Sequence, residues 1–350
     1  MKILVTGGAG FIGSHLVDLL VEKNHDVRVL VRRGEIHPVY KDDIDPKIIE
    51  HVKNLGVEIV YGNLLNKKTL EKACKDVDIV YHLAAIAHEY KGLPIKTYYD
   101  VNVLGTKNLL DVCLENDIKR FVYTSSIEAC GPSTDGNPVT EKTELNPVCI
   151  YGKSKLGGEI LSLHYYKKFG LPITVVRPPM IYGDRNPLHA RLFRRVKGGI
   201  FTIFGSGETF FEFCYVKNQA YGIYLAGKKR RAIGETYFIS EGSYKIKEVV
   251  ETAGKVMKND LKIIFLPKSV GYLIGLSFEA FSKIFPFPPF RVKGTGRPYI
   301  SRRTINWTTN DLYICDNSKA KKELDFKPPF SLKRGLERTI EWYERGGLLS

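Results

Sequence analysis

The chain has 350 residues, 43% of them apolar, with a formal net charge of +15 and six cysteines. This length and apolar content are enough to bury a full hydrophobic core in one large domain or two modest ones. The cysteines are scattered and include no Cys-x-x-Cys pair. That pattern argues against a disulfide or zinc framework, so we expect reduced thiols and no metal.

The ends and the charge of the chain bear on location and partners. It begins with MKILVTGG, which predicts a strand and a turn rather than a signal peptide, and we expect a cytoplasmic protein. No run approaches the roughly 20 apolar residues of a transmembrane helix. Basic clusters such as RLFRRVKGG and GKKRRA lack interleaved aromatic residues, so we expect no nucleic-acid partner. They indicate either a solvated surface or attraction to anionic lipid or an anionic substrate.

Short apolar runs alternate with helix-length segments along the first half. The runs are KILVTG, DVRVLV, VEIVYG, DIVYHLAA, RFVYTSS and ITVVRPP. Their near-continuous Val, Ile and Leu content is typical of strands buried on both faces. Segments such as FIGSHLVDLLVEKN carry apolar residues at helical spacing between them. The alternation predicts an α/β fold with a doubly wound parallel sheet.

The first strand is followed by TGGAGFIG, which opens the first helix. In this context Gly7, Gly10 and Gly13 allow a tight turn, a close approach to a pyrophosphate, and packing of the helix on the strand. The phosphates would lie at the positive helix N-terminus, beside Phe11 and Ile12. The motif therefore predicts a Rossmann-type dinucleotide-binding domain.

The second strand bears on the choice of cofactor. NAD-preferring folds usually end this strand with an acidic residue for the ribose 2′-hydroxyl. Here Val31 stands in that place, followed by Arg32 and Arg33. Arginines beside the ribose favour a 2′-phosphate, so we expect NADP as the preferred cofactor and NAD as the alternative.

The pattern changes after Pro178, where loops rich in Gly, Pro and aromatic residues appear. Helices are predicted near 216–228, 245–258, 268–284 and 331–344. We predict that residues 1–178 form the NAD(P)-binding domain. Residues 179–350 would mainly form a smaller C-terminal substrate-binding lid over the strand ends, with part of the chain returning to the sheet.

The motif YGKSK places Tyr151 and Lys155 four residues apart, on one face of a helix. A phenol is a poor base at neutral pH unless its anion is stabilised, and a neighbouring ammonium does that. A serine near the same substrate oxygen would complete a hydride-transfer site. After a dinucleotide fingerprint, this pair predicts an enzyme rather than a non-catalytic dinucleotide sensor.

Taken together, TGGAGFIG, HLAA, NVLGTKNLL, YTSSIEACGP, YGKSK, VVRPPMIYG and the closing DNSKAKKELDF resemble the extended short-chain dehydrogenase/reductase family, the NAD-dependent epimerase/dehydratase superfamily. The resemblance runs the whole length. In that family the catalytic serine stands five residues before the glycine that ends its strand and 25 before the tyrosine, which implies Ser126 here. Ser125 is then a cofactor neighbour. Further cofactor contacts that the resemblance implies are Asn63, Leu64, Leu83, Ala84, Ala85, Asn102 and Pro178, along with Tyr151 and Lys155.

The resemblance leaves two substrate classes open. Glu128 would do acid–base work in a sugar dehydratase, whereas YTSSIEACGP as a whole is closest to the 3β-hydroxysteroid and sterol dehydrogenase branch. Nucleotide-sugar enzymes carry an asparagine where Met180 stands and an arginine pair where Phe210 and Phe211 stand. We therefore expect a bulky apolar hydroxy or keto substrate, with a nucleotide-sugar epimerase or dehydratase as the alternative.

The segment LPKSVGYLIGLSFEAFSKIFPFPPF, residues 266–290, is amphipathic at helical spacing. It predicts either a core helix of the lid or an interfacial helix that contacts a membrane peripherally. The family resemblance also implies a homodimer formed through a four-helix interface.

Overall fold

The computed structural model describes residues 1–33, 37, 45–285, 298, 300–309 and 312–349. The strands are β1 Lys2–Thr6, β2 Asp26–Arg32, β3 Glu58–Gly62, β4 Ile79–His82, β5 Arg120–Thr124, β6 Ile173–Arg177, β7 Met180–Tyr182, β8 Ile200–Phe204, β9 Phe210–Tyr215, β10 Thr236–Phe238, β11 Gly242–Lys245 and β12 Lys262–Leu266. The helices are α1 Phe11–Glu22, α2 Pro46–Asn54, α3 Lys67–Cys74, α4 Ile95–Tyr99, α5 Gly105–Glu115, α6 Ile150–Phe169, α7 Ala190–Lys197, α8 Val216–Lys228, α9 Ile246–Val256, α10 Lys268–Ile284, α11 Arg302–Thr309, α12 Ser318–Glu323 and α13 Leu332–Arg345.

The six apolar runs of the first half all form strands of one parallel sheet, which confirms the predicted fold class. The strand order is β10-β6-β5-β4-β1-β2-β3. The order reverses beside β1, so the carboxyl ends of β1 and β4 border a crevice where ligands bind in such folds. The seventh strand, β10, comes from the second half and pairs with β6 through Thr236 and Val175.

Helices cover both faces of this sheet because its strands are apolar on both sides. On one face α1 packs against α8, and Leu16, Leu20 and Ile223 belong to the same buried cluster. On the other face α3, α5 and α6 pack side by side, with Leu70 and Leu109 in a second cluster. The predicted helix near 216–228 thus forms as α8, but it packs against the main sheet and not in the lid.

Apart from α12, which packs on β10 of the main sheet, the remaining C-terminal elements lie outside that sheet, and we call them the lid. β9 pairs with β7 and β11, and β8 pairs with β12 in a separate parallel ribbon. The predicted helices near 245–258, 268–284 and 331–344 correspond to α9, α10 and α13. The amphipathic segment 266–290 is described as far as Phe285, and its residues 286–290 lie outside the described residues. Within the described ranges, no helix is both long and apolar enough to cross a bilayer.

Candidate active site

A cleft of about 990 Å³ runs along the carboxyl ends of the main-sheet strands and under the lid. Its wall includes most of the predicted cofactor and catalytic residues, namely Gly7, Gly10, Phe11, Ile12, Gly13, Arg32, Asn63, Leu64, Leu83, Ala84, Ala85, Ser125, Ser126, Glu128, Tyr151, Lys155 and Pro178. Residues far apart in sequence therefore meet in one place.

The glycine turn forms the floor at one end of the cleft. Gly7 adopts φ +72, and a Cβ there would lie 2.8 Å from the Ala84 backbone nitrogen of the neighbouring strand end. A Cβ on Gly13 would overlap the Gly7 carbonyl oxygen. Gly10 precedes α1 without a side-chain cap hydrogen bond, and the first residues of this 12-residue helix line the cleft. An open helix N-terminus on a glycine cradle suits an anionic pyrophosphate.

Two hydroxyl groups at the end of β5 also suit a bound dinucleotide. Thr124 and Ser125 are 6% and 2% exposed, and both line the cleft. Within the part of the chain that the structure describes, neither hydroxyl oxygen has a hydrogen-bond partner. Buried hydroxyls are normally paired, so these two fit a ligand that enters the cleft.

Some of the predicted cofactor residues line the cleft, and others lie outside it. Arg32 lines the cleft at the end of β2, whereas Arg33 is exposed and lies outside the lining. Asn63 lines the cleft, but its side-chain oxygen accepts a hydrogen bond from the Leu65 amide at 3.0 Å. This bond stabilises the turn that follows β3. Asn102 lies behind the wall, because its side chain bonds to Ile86 and to the Ser154 hydroxyl at 2.9 Å. It therefore supports the site from outside the cleft.

His82 connects the cofactor wall to the turn that holds Asn102, a role that the sequence did not reveal. The Thr106 hydroxyl donates to the Asn102 carbonyl at 2.8 Å, so it accepts from Nε2–H of His82 at 3.0 Å. Nδ1 of His82 then accepts from the Thr6 hydroxyl at 2.7 Å. Burial, aided by the charge of Lys155, lowers the pKa of His82 to about 3, so the ring is neutral.

Ser126, Tyr151 and Lys155 come together where β5 ends beside the first turns of α6. Burial raises the pKa of Tyr151, and a hydrogen bond from the Ser126 hydroxyl opposes that rise. Burial lowers the pKa of Lys155 to about 7, and the Glu159 carboxylate opposes that fall. The Lys155 ammonium lies 4.4 Å from the centre of the Tyr123 ring.

Glu128 lies on the same wall and contacts a cysteine at the start of α6. The Cys149 thiol donates to Glu128 Oε2 at 3.1 Å, and the Gly152 amide donates to the sulfur at 3.1 Å. Burial, followed by the charge of Glu128, raises the pKa of Cys149 to about 11. The thiol is therefore protonated at neutral pH and acts as a donor to the carboxylate.

The lid side of the cleft combines apolar and cationic groups. Phe211 and Met180 line it, and so do the cationic Arg185 and Arg303. His189 also lines it, but burial lowers its pKa to about 4, so its ring is neutral. Phe210, which the sequence placed beside Phe211, is 41% exposed and lies outside the lining, because successive strand residues face opposite sides. Among the described residues, no group of three or more His, Cys, Asp or Glu side chains is arranged to hold a metal ion.

The parallel sheet, the glycine turn and the Ser–Tyr–Lys group define a protein of the extended short-chain dehydrogenase/reductase class. Residues 3–240 match the model of the NAD dependent epimerase/dehydratase family. The chain belongs to this family, whose members depend on NAD.

Three relatives match almost the whole chain. It is 31% identical to the uncharacterized UDP-glucose epimerase YtcB of Bacillus subtilis (strain 168), over 98% of both chains. It is 27% identical to the N-acetyl-alpha-D-glucosaminyl-diphospho-ditrans,octacis-undecaprenol 4-epimerase of Escherichia coli O157:H7, over 97% of this chain and 95% of the relative. It is 26% identical to 3beta-hydroxysteroid-dehydrogenase/decarboxylase isoform 1 of Arabidopsis thaliana, over 97% of this chain and 78% of the relative.

A solved structure shows the same architecture. The UDP-glucuronic acid 4-epimerase from Bacillus cereus in complex with NAD superposes with a TM-score of 0.75. The two chains are 25% identical, and the match covers 99% of each. The lid as well as the dinucleotide-binding sheet therefore follows a known arrangement.

Proposed function

We propose that the protein is an NAD(P)-dependent oxidoreductase that transfers hydride to and from a hydroxyl-bearing carbon of its substrate. The observation that carries this proposal is the meeting of Ser126, Tyr151 and Lys155 in the cleft that begins at the glycine turn. NAD bound there would accept the hydride and return it. Side chains of the protein would accept and return the proton of the substrate hydroxyl.

In this mechanism Tyr151 takes the proton of the substrate hydroxyl as the carbon loses hydride. Its buried phenol needs a positive neighbour, and Lys155 supplies one from the next turn of α6. With a pKa of about 7, Lys155 changes its charge near neutral pH. Ser126 would hydrogen-bond the substrate oxygen and hold it against Tyr151.

For the substrate, we propose first a sugar hydroxyl that is oxidised to a ketone and then reduced again in the same site. Support comes from the names of two relatives and of the superposed structure: a UDP-glucose epimerase, a diphospholipid-linked sugar 4-epimerase and a UDP-glucuronic acid 4-epimerase. Arg185 and Arg303 on the lid side suit the negative charge of a diphosphate, and His189, which is neutral at pH 7, would offer it a hydrogen bond. Such a cycle leaves no net change in the cofactor.

A second candidate is net oxidation or reduction of a bulky apolar hydroxy or keto compound. Phe211 and Met180 favour it, because both line the cleft where phosphate-binding groups would be expected in nucleotide-sugar enzymes. The relative from Arabidopsis thaliana carries a hydroxysteroid dehydrogenase name. In this reaction Glu128 would be a polar wall residue, whereas in a dehydratase it would move a proton.

One assay separates these candidates. Purified protein is offered hydroxysteroids and other lipid alcohols, UDP-sugars, and diphospholipid-linked sugars, and both nicotinamide absorbance and sugar identity are followed. We expect an epimerised sugar without net cofactor reduction. Net reduction with an apolar alcohol alone would overturn the sugar proposal and establish the second candidate.

The same assay, run with NAD and with NADP, tests the cofactor preference. We propose that NADP is preferred, because Arg32 lines the cleft at the strand end where an NAD-selective acid would stand. Arg32→Ala should weaken NADP binding about tenfold, which corresponds to the loss of one charged hydrogen bond. The affinity for NAD should stay unchanged. The exposed neighbour provides the control, since Arg33→Ala should change neither. Equal losses in both variants would show that only general surface charge matters.

We also propose that the lid touches an anionic membrane. Helix α10 buries the small residues Gly271, Gly275 and Ser282 against the protein. It exposes large apolar residues instead, with exposed fractions of 66% for Leu273, 50% for Leu276 and 68% for Ile284. This distribution is the reverse of a core helix, and basic side chains near its two ends, Lys268 and Lys283, suit acidic headgroups.

Flotation with vesicles rich in phosphatidylglycerol tests this contact. Native protein should float at low salt, and the Leu273→Glu/Ile284→Glu double variant should stay in the soluble fraction. Tyr61→Glu is the control, because Tyr61 is 47% exposed on β3, an edge strand of the main sheet, and this variant should float like native protein. Native protein that never floats would refute the proposal.

A homodimer is proposed on separate grounds. The apolar residues Ile95, Leu104 and Ile160 of the α4–α6 region are about half exposed, which suits a helix-to-helix interface. A monomeric mass by light scattering at micromolar concentration would overturn this.

A further inference from the structure

The helix that carries Tyr151 and Lys155 begins with an unusual cap. Cys149 occupies its N-cap position, where Ser, Thr, Asp and Asn are preferred. Its sulfur accepts the Gly152 amide at 3.1 Å, and sulfur is a weak acceptor. The amide of Ile150, the first helical residue, is instead bonded by Glu89 Oε1 at 2.8 Å. A carboxylate from a loop 61 residues away thus completes the start of the helix.

The other oxygen of Glu89 connects to the lid. Arg303, near the start of α11, donates to Glu89 Oε2 at 2.6 Å. The Glu89 side chain is only 11% exposed, so water and salt screen this ion pair less than a typical surface pair. Helix α11 packs on α10 and β8 of the lid. Glu89 therefore contacts the catalytic helix on one side and the lid on the other.

From this geometry we infer that Glu89 is a positioning residue for Tyr151, and that Arg303 makes its position depend on the seating of the lid. The inference rests on the proposed function in one respect, since it assumes that Tyr151 meets the substrate. Tyr151 directly follows Ile150, so a shift of the first turn moves the phenol relative to Ser126. The carboxylate also lies at the positive end of a 20-residue helix, which strengthens its hold.

Both Glu89 and Arg303 line the cleft, and the Arg303 side chain is 56% exposed. A substrate that fills the lid side of the cleft would lie against this pair. Binding of substrate beside Arg303 would then act on Glu89, and Glu89 holds the Ile150 amide next to Tyr151.

Hydrogen exchange at Ile150, read by mass spectrometry in the NAD-bound protein, tests the connection without turnover. Glu89→Ala should speed exchange of this amide about tenfold by removing its acceptor. Glu89→Gln keeps an oxygen there and should have a smaller effect. Arg303→Gln should speed the exchange as well, because Arg303 holds the Glu89 carboxylate through its ion pair.

The neighbouring arginine gives a matched control. Arg302 pairs with Glu279 at 3.0 Å within the lid, so Arg302→Gln should leave Ile150 exchange unchanged. In turnover assays, Glu89→Ala and Arg303→Gln should lower kcat roughly 10- to 100-fold, as expected for a displaced reacting group, with NAD affinity unchanged. The double variant Glu89→Gln/Arg303→Gln should be no worse than Glu89→Gln alone, because both act through one contact.

Unchanged Ile150 exchange in Glu89→Ala would overturn the inference, and so would equal behaviour of the Arg302 and Arg303 variants. A failure of the proposed function looks different. In that case Tyr151→Phe keeps full turnover while the exchange effects at Ile150 persist.

Discussion

Tyr151→Phe should lower turnover about 10²- to 10⁴-fold, the range that a positioned acid–base group contributes, and leave NAD affinity within twofold. The phenol is the group that exchanges a proton with the substrate in the proposed mechanism, and phenylalanine keeps the ring but removes that proton. The pocket should not collapse, because the ring still fills the same volume between Ser126 and the cleft wall.

The measurement pairs steady-state turnover with calorimetric titration of NAD. Tyr166→Phe is the matched control, since it removes a hydroxyl from the same helix α6, 15 residues further on, and we expect native turnover from it. Turnover of Tyr151→Phe within threefold of native would show that another group moves the proton. Glu128 and the Cys149 thiol, which lie on the same wall, would then be the groups to replace.

Much of the fold follows from local patterns in the sequence. Six of the seven main-sheet strands are near-continuous apolar runs, and such runs predict buried strands without knowledge of their neighbours. The seventh, β10, has only the three residues Thr236–Phe238, too few to show a period. The placement of α8 against the main sheet was likewise invisible, because a helical pattern shows which face is apolar and not which element covers it.

In the candidate site, too, local sequence patterns predict some features and not others. The spacing of Ser126, Tyr151 and Lys155 follows from motifs, and the structure has all three in one cleft. Phe210 and Phe211 face opposite ways, which strand alternation could have indicated once β9 was recognised. The contacts of Glu89 with Ile150 and Arg303 span 61 and 214 residues, so no local pattern carries them.

Glu159→Gln should reduce the free energy of unfolding by about 3–5 kcal/mol, the cost of removing one partner from a buried ion pair. Glu159 and Arg177 are 1% and 3% exposed, and two hydrogen bonds join them at 2.5 and 3.2 Å. Glutamine would leave the buried guanidinium at the end of β6 without its hydrogen-bonded counter-charge, and the charge of Glu141 would remain near it. Urea unfolding measures the loss. Glu337→Gln, which breaks an exposed pair with Arg334, should leave the free energy of unfolding nearly unchanged.

The same substitution should also shift the pH dependence of catalysis, because the Glu159 carboxylate raises the pKa of Lys155. Burial places that pKa at about 7 against an ordinary 10.5, so the folded protein binds this proton less readily than the unfolded chain. The contribution of Lys155 to stability therefore falls as pH drops from 10.5 to about 7, and it stays constant below that. Without Glu159 the folded pKa falls below 7, and the window of falling stability extends to lower pH.

The pH dependence of kcat/KM should follow the protonation of Lys155. If the Lys155 ammonium is what makes Tyr151 a usable base, kcat/KM in the native protein should decline as pH rises through the pKa of Lys155, and in Glu159→Gln the decline should begin at lower pH. Lys155→Met should remove the contribution of this one proton to the stability change between pH 7 and 10.5. A Glu159→Gln protein with lowered stability but an unmoved kcat/KM profile would separate the two roles. The ion pair would then be structural, and the charge of Lys155 would have to be set by the substrate or by NAD instead.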